Sequence, residues 1–340
     1  MLLTIIILLF SAGLIYVSCE LFVNGIEWVG KTFNISQNAV GTILAAFGTA
    51  LPESVVTFIA VVFGKNTDQK DIGVGAALGG PLVLSTISYA VVGFIVFTSC
   101  RKRVCGKQIE IDGAKLARDQ LWFLVIFFFN LCLGLLIFPG KPWTCLFFFA
   151  SYGFYFYKQM SVKEDEEEVK IAPLKFRPKT SKPSKSWVLI QTFFSLALIF
   201  FGSQLFVHNL EAFSVSLGIK PLIVSLILSP IATELPETLN AIIWVRQGKE
   251  KLALANISGA MMIQTTIPSA LGILFTSWTF DIHLTIAAIV TIVSIIFLLI
   301  TLHRNVLSAK RLTYASLFYI IFALSIFWVK APHNITLHSH

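Results

Sequence analysis

The feature that most limits what this chain can become is a succession of apolar runs, each about as long as a bilayer is thick, separated by short charged or Pro/Gly-containing breaks. A spanning helix needs about 20 predominantly apolar residues, and within lipid only helices and closed barrels satisfy their own backbone. Of the 340 residues 56% are hydrophobic and 13% charged, with a mean hydropathy of +0.81, which excludes an ordinary water-soluble domain. The expected fold class is an all-α membrane protein. The first 18 residues are apolar with no Lys or Arg before them and no obvious cleavage site, so they are taken as the first span rather than a signal peptide.

Apolar runs between the breaks predict spans at about 2 to 30, 38 to 64, 72 to 99, 119 to 138 and 142 to 157, then 187 to 214, 221 to 245, 252 to 276, 282 to 302 and 312 to 330. Between the two sets of five lies a stretch with the acidic run Glu164 to Glu168 and a tail rich in Lys, Pro and Ser, too polar to fold by itself. The expected organisation is a first five-helix unit over residues 1–157, a linker over 158–186 and a second five-helix unit over 187–340.

Charge gives the orientation, because loops rich in Lys and Arg stay in the cytoplasm. One alternate set of loops holds 21 of the 26 basic residues. These are Lys31, six between Arg101 and Arg118, eight between Lys158 and Lys185, three between Arg246 and Lys251, and Arg304, Lys310 and Arg311. The other side holds Lys65, Lys70, Lys141, Lys220 and Lys330. A missed span would scramble this alternation, so it supports ten spans in a multi-pass cell-membrane protein, with both termini external and the linker cytoplasmic. The net charge of +8 is thereby assigned to loops, and no nucleic acid partner is expected. The five cysteines (Cys19, Cys100, Cys105, Cys132, Cys145) have no metal spacing and imply no disulfide framework.

Residues 20–53 and 204–237 align at a constant offset of 184 without a gap, and 12 of the 34 positions are identical. The matches end on Leu51-Pro52-Glu53 against Leu235-Pro236-Glu237, with Thr49 against Thr233. Five spans per half is an odd number, so the second copy enters the membrane from the opposite side. The two motifs then face each other as inverted repeats.

A proline within a helix removes a backbone donor and frees the carbonyl four residues back, here those of Gly48 and Ala232. At membrane depth such carbonyls must be buried in protein or line a wet cavity, where a cation would satisfy them. Thr49 and Glu53 are four apart, as are Thr233 and Glu237, which adds side-chain oxygens on one helix face. Hard oxygen donors of this kind suit Ca²⁺, Na⁺ or H⁺ more than soft metals. The plain alternative is a kink with a snorkelling Glu. Two copies at one offset weigh against it, because each intramembrane acid costs at least about 2.5 kcal/mol to insert and acids there usually mark ion or proton pathways. Glu234 precedes Glu237 by three residues, placing both on nearly one helix face, with Glu53 approaching from the other repeat. Three close carboxylates cannot all stay ionised without a bound cation, so a proton is a natural counter-ion. Glu20, Glu27, Glu211 and His208 read as interfacial or rim residues, and Phe127 to Phe129 and Phe147 to Phe149 as packing or lipid-facing surface.

These motifs resemble those of the sodium/calcium exchanger superfamily, whose inverted repeats each carry Gly-Thr-Ser-Leu-Pro-Glu and, one span later, a Gly-Asn-x-x-Gly-Ser-Asn-like motif. The matching stretches here are Gly48 to Glu53, Ala232 to Glu237, Gly75 to Gly80 and Ala255 to Ala260. The resemblance implies ten helices in two inverted repeats, with the first and sixth sliding past an ion-holding core. By position it implies ligands at Thr49, Glu53, Thr233 and Glu237, and backbone carbonyls near Ala46 and Pro230. The motif Ser is replaced by Ala50 in one repeat and Glu234 in the other, and the later Ser positions are Gly80 and Ala260. The family's Asn or Asp falls on Leu84 and Gln264, so Glu234 and Gln264 join the candidate set.

The resemblance implies exchange of a divalent cation, foremost Ca²⁺, against Na⁺ or H⁺ by alternating access. Two other readings stand beside it: a non-transporting sensor or scaffold, and an intramembrane enzyme, which would need a positioned His, Arg or Ser beside the carboxylates. No resident cofactor is expected. The expected partners are the bilayer and the transported cations, with the chain acting as a monomer.

Overall fold

A computed structural model gives the architecture and describes residues 1–32, 51–98, 108–111, 113–160, 172–180, 183–246, 248–303 and 306–328. The first half contains α1 (Leu2–Thr32), α2 (Leu51–Phe63), α3 (Thr67–Val83), a π-helical turn (Leu84–Ser88) and α4 (Tyr89–Thr98). It continues through strand β1 (Gln108–Glu110), α5 (Gly113–Leu135) and α6 (Cys145–Met160). The second half contains α7 (Lys185–Leu217), α8 (Pro221–Thr233), α9 (Leu235–Arg246), α10 (Glu250–Phe275) and α11 (Ile282–Thr301). Strands β2 (Leu302–His303) and β3 (Val306–Ser308) and helices α12 (Ala309–Thr313) and α13 (Ala315–Trp328) follow.

Among the described residues, eight helical stretches are long and apolar enough to cross a membrane. They are Leu2–Thr32, Thr67–Thr98, Gly113–Leu135, Lys185–Leu217, Pro221–Arg246, Glu250–Phe275, Ile282–Thr301 and Ala309–Ile326. The other two expected spans correspond to α2, whose preceding residues lie outside the described set, and to the 16-residue α6.

The helices pack in two groups. One is the pair α1 and α7, which run along each other over most of their length. Buried positions on α1 (Ser11, Ile15, Ser18, Gly25, Trp28) recur at three- and four-residue spacing, and α7 offers Gln191, Thr192, Ser195, Ile199 and Gly202. Small residues at the seam let backbones approach: a Cβ on Gly25 would meet Thr192 Oγ1 at 2.6 Å. Their outer faces carry Leu9, Phe10, Val17, Phe193 and Phe201, all exposed to the lipid side.

The other group centres on α10, which touches α3, α5, α6 and α9, while α3 lies along α8. A Cβ on Gly75 would meet the Leu222 carbonyl oxygen at 2.6 Å, and one on Gly79 would meet Pro230 Cγ at 2.3 Å. These two glycines set the separation of α3 from α8. Pro81 lies inside α3, and the helix widens into its π-turn just beyond. The Ser294 hydroxyl of α11 donates to the Ser85 carbonyl in that turn at 2.7 Å. A buried polar cluster joins α4, α5 and α10: Gln120 Nε2 donates to Tyr89 Oη and Ser258 Oγ, both at 2.7 Å.

Three local features depart from the sequence reading. A three-stranded sheet, with β3 between β1 and β2 and both pairings antiparallel, ties the stretch between α4 and α5 to the one between α11 and α12. Strands of two or three residues leave no alternation to read. Part of the linker is docked: Leu174 is buried, the Ala172 carbonyl accepts from Trp28 Nε1 at 3.0 Å, and Phe176 N donates to Gln191 Oε1 at 2.9 Å. Asn24 Oδ1 accepts from both Lys175 N and Gln191 Nε2 at 3.0 Å. The linker is too polar to make a core, yet it saturates polar groups on α1 and α7. Finally, the span predicted at 221 to 245 is two helices, broken at Glu234.

Candidate cation site

The break in the second repeat builds the site. Pro236 stands in the first turn of α9, where its missing N–H costs nothing, so the chain ends one helix and starts another instead of kinking. Glu234 closes α8 with φ −90° and ψ −1°; its backbone N–H donates to the Pro230 carbonyl at 2.8 Å, and its carbonyl accepts from Thr238 N at 3.1 Å.

The interruption is one residue long: Glu234 keeps right-handed helical backbone angles and is bonded four residues back and four residues on, so Thr233 ends α8 and Glu237 lies in the first turn of α9. The Pro230 carbonyl accepts the Glu234 amide and keeps a second lone pair.

Across the repeats the expected meeting does occur. Glu53, on α2, lies with its Oε2 against the Thr233 hydroxyl, which also lies 2.9 Å from the Ser229 carbonyl. Glu53, Glu237 and Gln264 are fully buried, Glu234 almost so, and Thr233 is buried as well. Gln264 Nε2 on α10 donates to Glu234 Oε1 at 2.5 Å. Glu53 Oε1, Glu234 Oε2 and Gln264 Oε1 have no hydrogen-bond partner among the described residues. The charges of Glu237 and Glu53 both act on Glu234. Among the described residues no three His, Cys, Asp or Glu side chains converge closely enough to hold a metal ion by themselves. The donor set is therefore mixed, with carboxylate, hydroxyl, amide and carbonyl oxygens interleaved. Thr49 and Ala46 lie outside the described residues.

Other groups line the approaches. Ala12, Ile15 and Tyr16 of α1, Phe206 of α7, Pro52, Ala232 and Thr233 surround a narrow crevice between the α1–α7 pair and the site. Ser88 in the π-turn shares a 2.9 Å hydrogen bond with Thr238, next to Glu237. Thr57, one turn beyond Glu53, is fully buried. Sequence reasoning did not single out Ser88, Thr57 or Tyr16. For Thr57 the signal was available, four residues after Glu53 on the same face, whereas Ser88 and Tyr16 reach the region only by helix packing. Glu20 accepts from Tyr16 Oη at 2.7 Å, and Glu211 from Asn66 Nδ2 at 2.7 Å and Gln69 Nε2 at 2.8 Å, all as rim contacts away from the buried acids. His208 is exposed. Cys19, Cys132 and Cys145 are free thiols.

The family model described as sodium/calcium exchanger protein matches residues 3–160 and 187–330, nearly the whole chain. The chain belongs to the sodium/calcium exchanger protein family. It is thus a multi-pass membrane protein of an ion-antiport family whose members carry calcium. The putative antiporter CaxA of Alkalimonas amylolytica is 26% identical over 267 residues, 76% of this chain and 77% of that protein. The inner membrane protein YrbG of Escherichia coli is 23% identical over 315 residues, 90% of each. Among solved structures, an H⁺/Ca²⁺ exchanger, CAX, superposes with a TM-score of 0.74 at 18% identity, covering 96% of this chain and 82% of that one. The sodium-calcium exchanger NCX_Mj superposes at 0.57 and 19% identity, covering 95% and 99%. These likenesses establish the exchanger fold.

Proposed function

We propose that this chain is an antiporter that exchanges Ca²⁺ for protons by alternating access. In this reading ten helices form two inverted repeats, residues 1–157 and 187–340, joined by a cytoplasmic linker over 158–186, with both termini external. The ligands are Glu53, Thr233, Glu234, Glu237 and Gln264, completed by Thr49 and the carbonyls near Ala46 and Pro230. The transported cations are substrates and no resident cofactor is needed. The chain works as a monomer within the bilayer.

One observation carries the proton. The Thr233 hydroxyl has a single hydrogen and lies between two acceptors, Glu53 Oε2 and the Ser229 carbonyl. If that hydrogen goes to Ser229, a proton on Glu53 completes the chain from carboxylic acid to hydroxyl to carbonyl. A divalent cation entering through the Tyr16–Phe206 crevice would displace that proton and take the same oxygens. Charge balance favours this exchange, since two or more buried carboxylates need either protons or a cation in a medium that solvates neither. Sodium is optional in this scheme, because hydroxyl positions that it would use are Ala50, Gly80 and Ala260.

Reconstituted vesicles test the reading. Ca²⁺ flux is measured with a pH gradient alone, and at fixed pH with and without a Na⁺ gradient. Flux that follows the pH gradient is expected. Flux following only the Na⁺ gradient would replace the proton by sodium, and no flux under any gradient would favour a non-transporting sensor or scaffold. Proton competition also has a sign: apparent Ca²⁺ affinity should rise with pH, by up to about tenfold per unit for each proton displaced.

A further inference from the structure

Beside the Gln264 amide stands a glycine with no side chain to offer. Gly80 lies on α3, buried where the superfamily motif has Ser. A Cβ placed there would stand 2.6 Å from Gln264 Oε1 and 3.0 Å from Gln264 Cδ. Those contacts are with the amide end of Gln264, the tip of a flexible side chain that is fully buried here, so a Cβ at 80 would have to displace the amide. From the opposite side of the same amide, Nε2 donates to Glu234 Oε1 at 2.5 Å. The amide therefore spans the gap between the bare backbone of α3 and the carboxylate at the α8–α9 break.

We propose that Gly80 and Gln264 form a positioning pair that fixes Glu234 for a divalent cation: the missing side chain at 80 seats the amide, and the amide holds one oxygen of Glu234 so that Oε2 stays open. The loss of a hydroxyl on one repeat and the gain of a longer amide on the other are then one change, not two. Glu234 needs such a holder. It caps α8, and of its two buried carboxylate oxygens only Oε1 has a hydrogen-bond partner among the described residues, the Gln264 amide. Partners of ligating carboxylates affect metal affinity nearly as strongly as the ligands themselves. This inference rests on the antiporter reading for the identity of the ion, but the steric coupling of the two residues does not.

The test is a double-mutant cycle on the full chain with Gly80→Ala, Gln264→Ala and the double variant, reconstituted for Ca²⁺ flux and purified for thermal melting. Gly80→Ala and Gln264→Ala are each expected to raise the KM for Ca²⁺ by about 10- to 100-fold while the maximal rate is kept. The double variant should be no worse than the poorer single, since Gly80→Ala acts only through the amide. Wild-type KM in Gly80→Ala, losses that multiply in the double variant, or a fall in maximal rate at unchanged KM would each overturn the proposal. If Gly80→Ala alone does not fold, folded protein from the double variant supports the steric pairing and its absence overturns it. Should wild type carry no cation under any gradient, the antiporter reading fails, and the cation-free melting cycle still decides: non-additive losses in Tm support the pair, additive ones overturn it.

Discussion

The α1–α7 pair and the α3–α8–α10 core are both apolar helices with small residues at their seams, yet they are finished differently. In the core the polar groups are acids, amides and hydroxyls buried between helices, and glycines bring backbones into direct contact, as Gly79 does with Pro230. In the pair the buried polar groups mostly bond back to their own helix: Ser18 donates to the Leu14 carbonyl, Thr192 to Val188, Ser214 to Leu210. A helix whose polar groups are satisfied internally can slide against its neighbours without orphaning them. One whose acids are satisfied by other helices cannot. Under the alternating-access proposal the difference suits a panel, α1 and α7, that moves past a fixed site, and the docked linker at Ala172 to Phe176 ties these two helices together at one end.

The sharpest way to break this comparison is in the core. Glu53→Gln and Glu237→Gln are each expected to abolish Ca²⁺ flux in vesicles while insertion and folding persist; near wild-type flux in either variant would remove that acid from the site. Next in size is Gly79→Ala. Its Cβ would overlap Pro230, so a loss of about 1–3 kcal/mol is expected, read as a lower melting temperature. An unchanged Tm would mean that α3 and α8 are not rigidly seated. The panel should respond more mildly. Asn24→Ala removes contacts to the linker and to Gln191 and is expected to cost about 1 kcal/mol and to alter the flux rate with the KM for Ca²⁺ unchanged. A change in KM instead would couple the linker to the site itself. Smallest of all, Leu9→Ala on the outer face of α1, where 70% of the residue is exposed, should stay within about 0.5 kcal/mol and leave flux alone. A large effect there would reveal a partner on the panel.

Much of the fold was legible because a bilayer imposes a length and a period on any chain that crosses it. The apolar runs located the helices to within a few residues, as with 282 to 302 against Ile282–Thr301 and 252 to 276 against Glu250–Phe275. The repeat at offset 184 led to the expectation that its two motifs come together, and Glu53 does lie against Thr233. What the sequence did not show is local. It gave no sign that α8 and α9 part at Glu234, because Pro236 permits either a kink or a restart.

By itself, then, the sequence determined that this chain spans a membrane many times and carries a Leu-Pro-Glu acid in each half, because burial in lipid leaves few structures and few reasons for an acid there. Only the tertiary structure decided which oxygens come together. Glu234 caps α8 and meets the Gln264 amide, Thr233 lies against Glu53, and Gln264 fills the space that Gly80 leaves. Those outcomes depend on how closely α3, α8 and α10 approach, a quantity set by packing among helices far apart in sequence, which no one-dimensional pattern encodes.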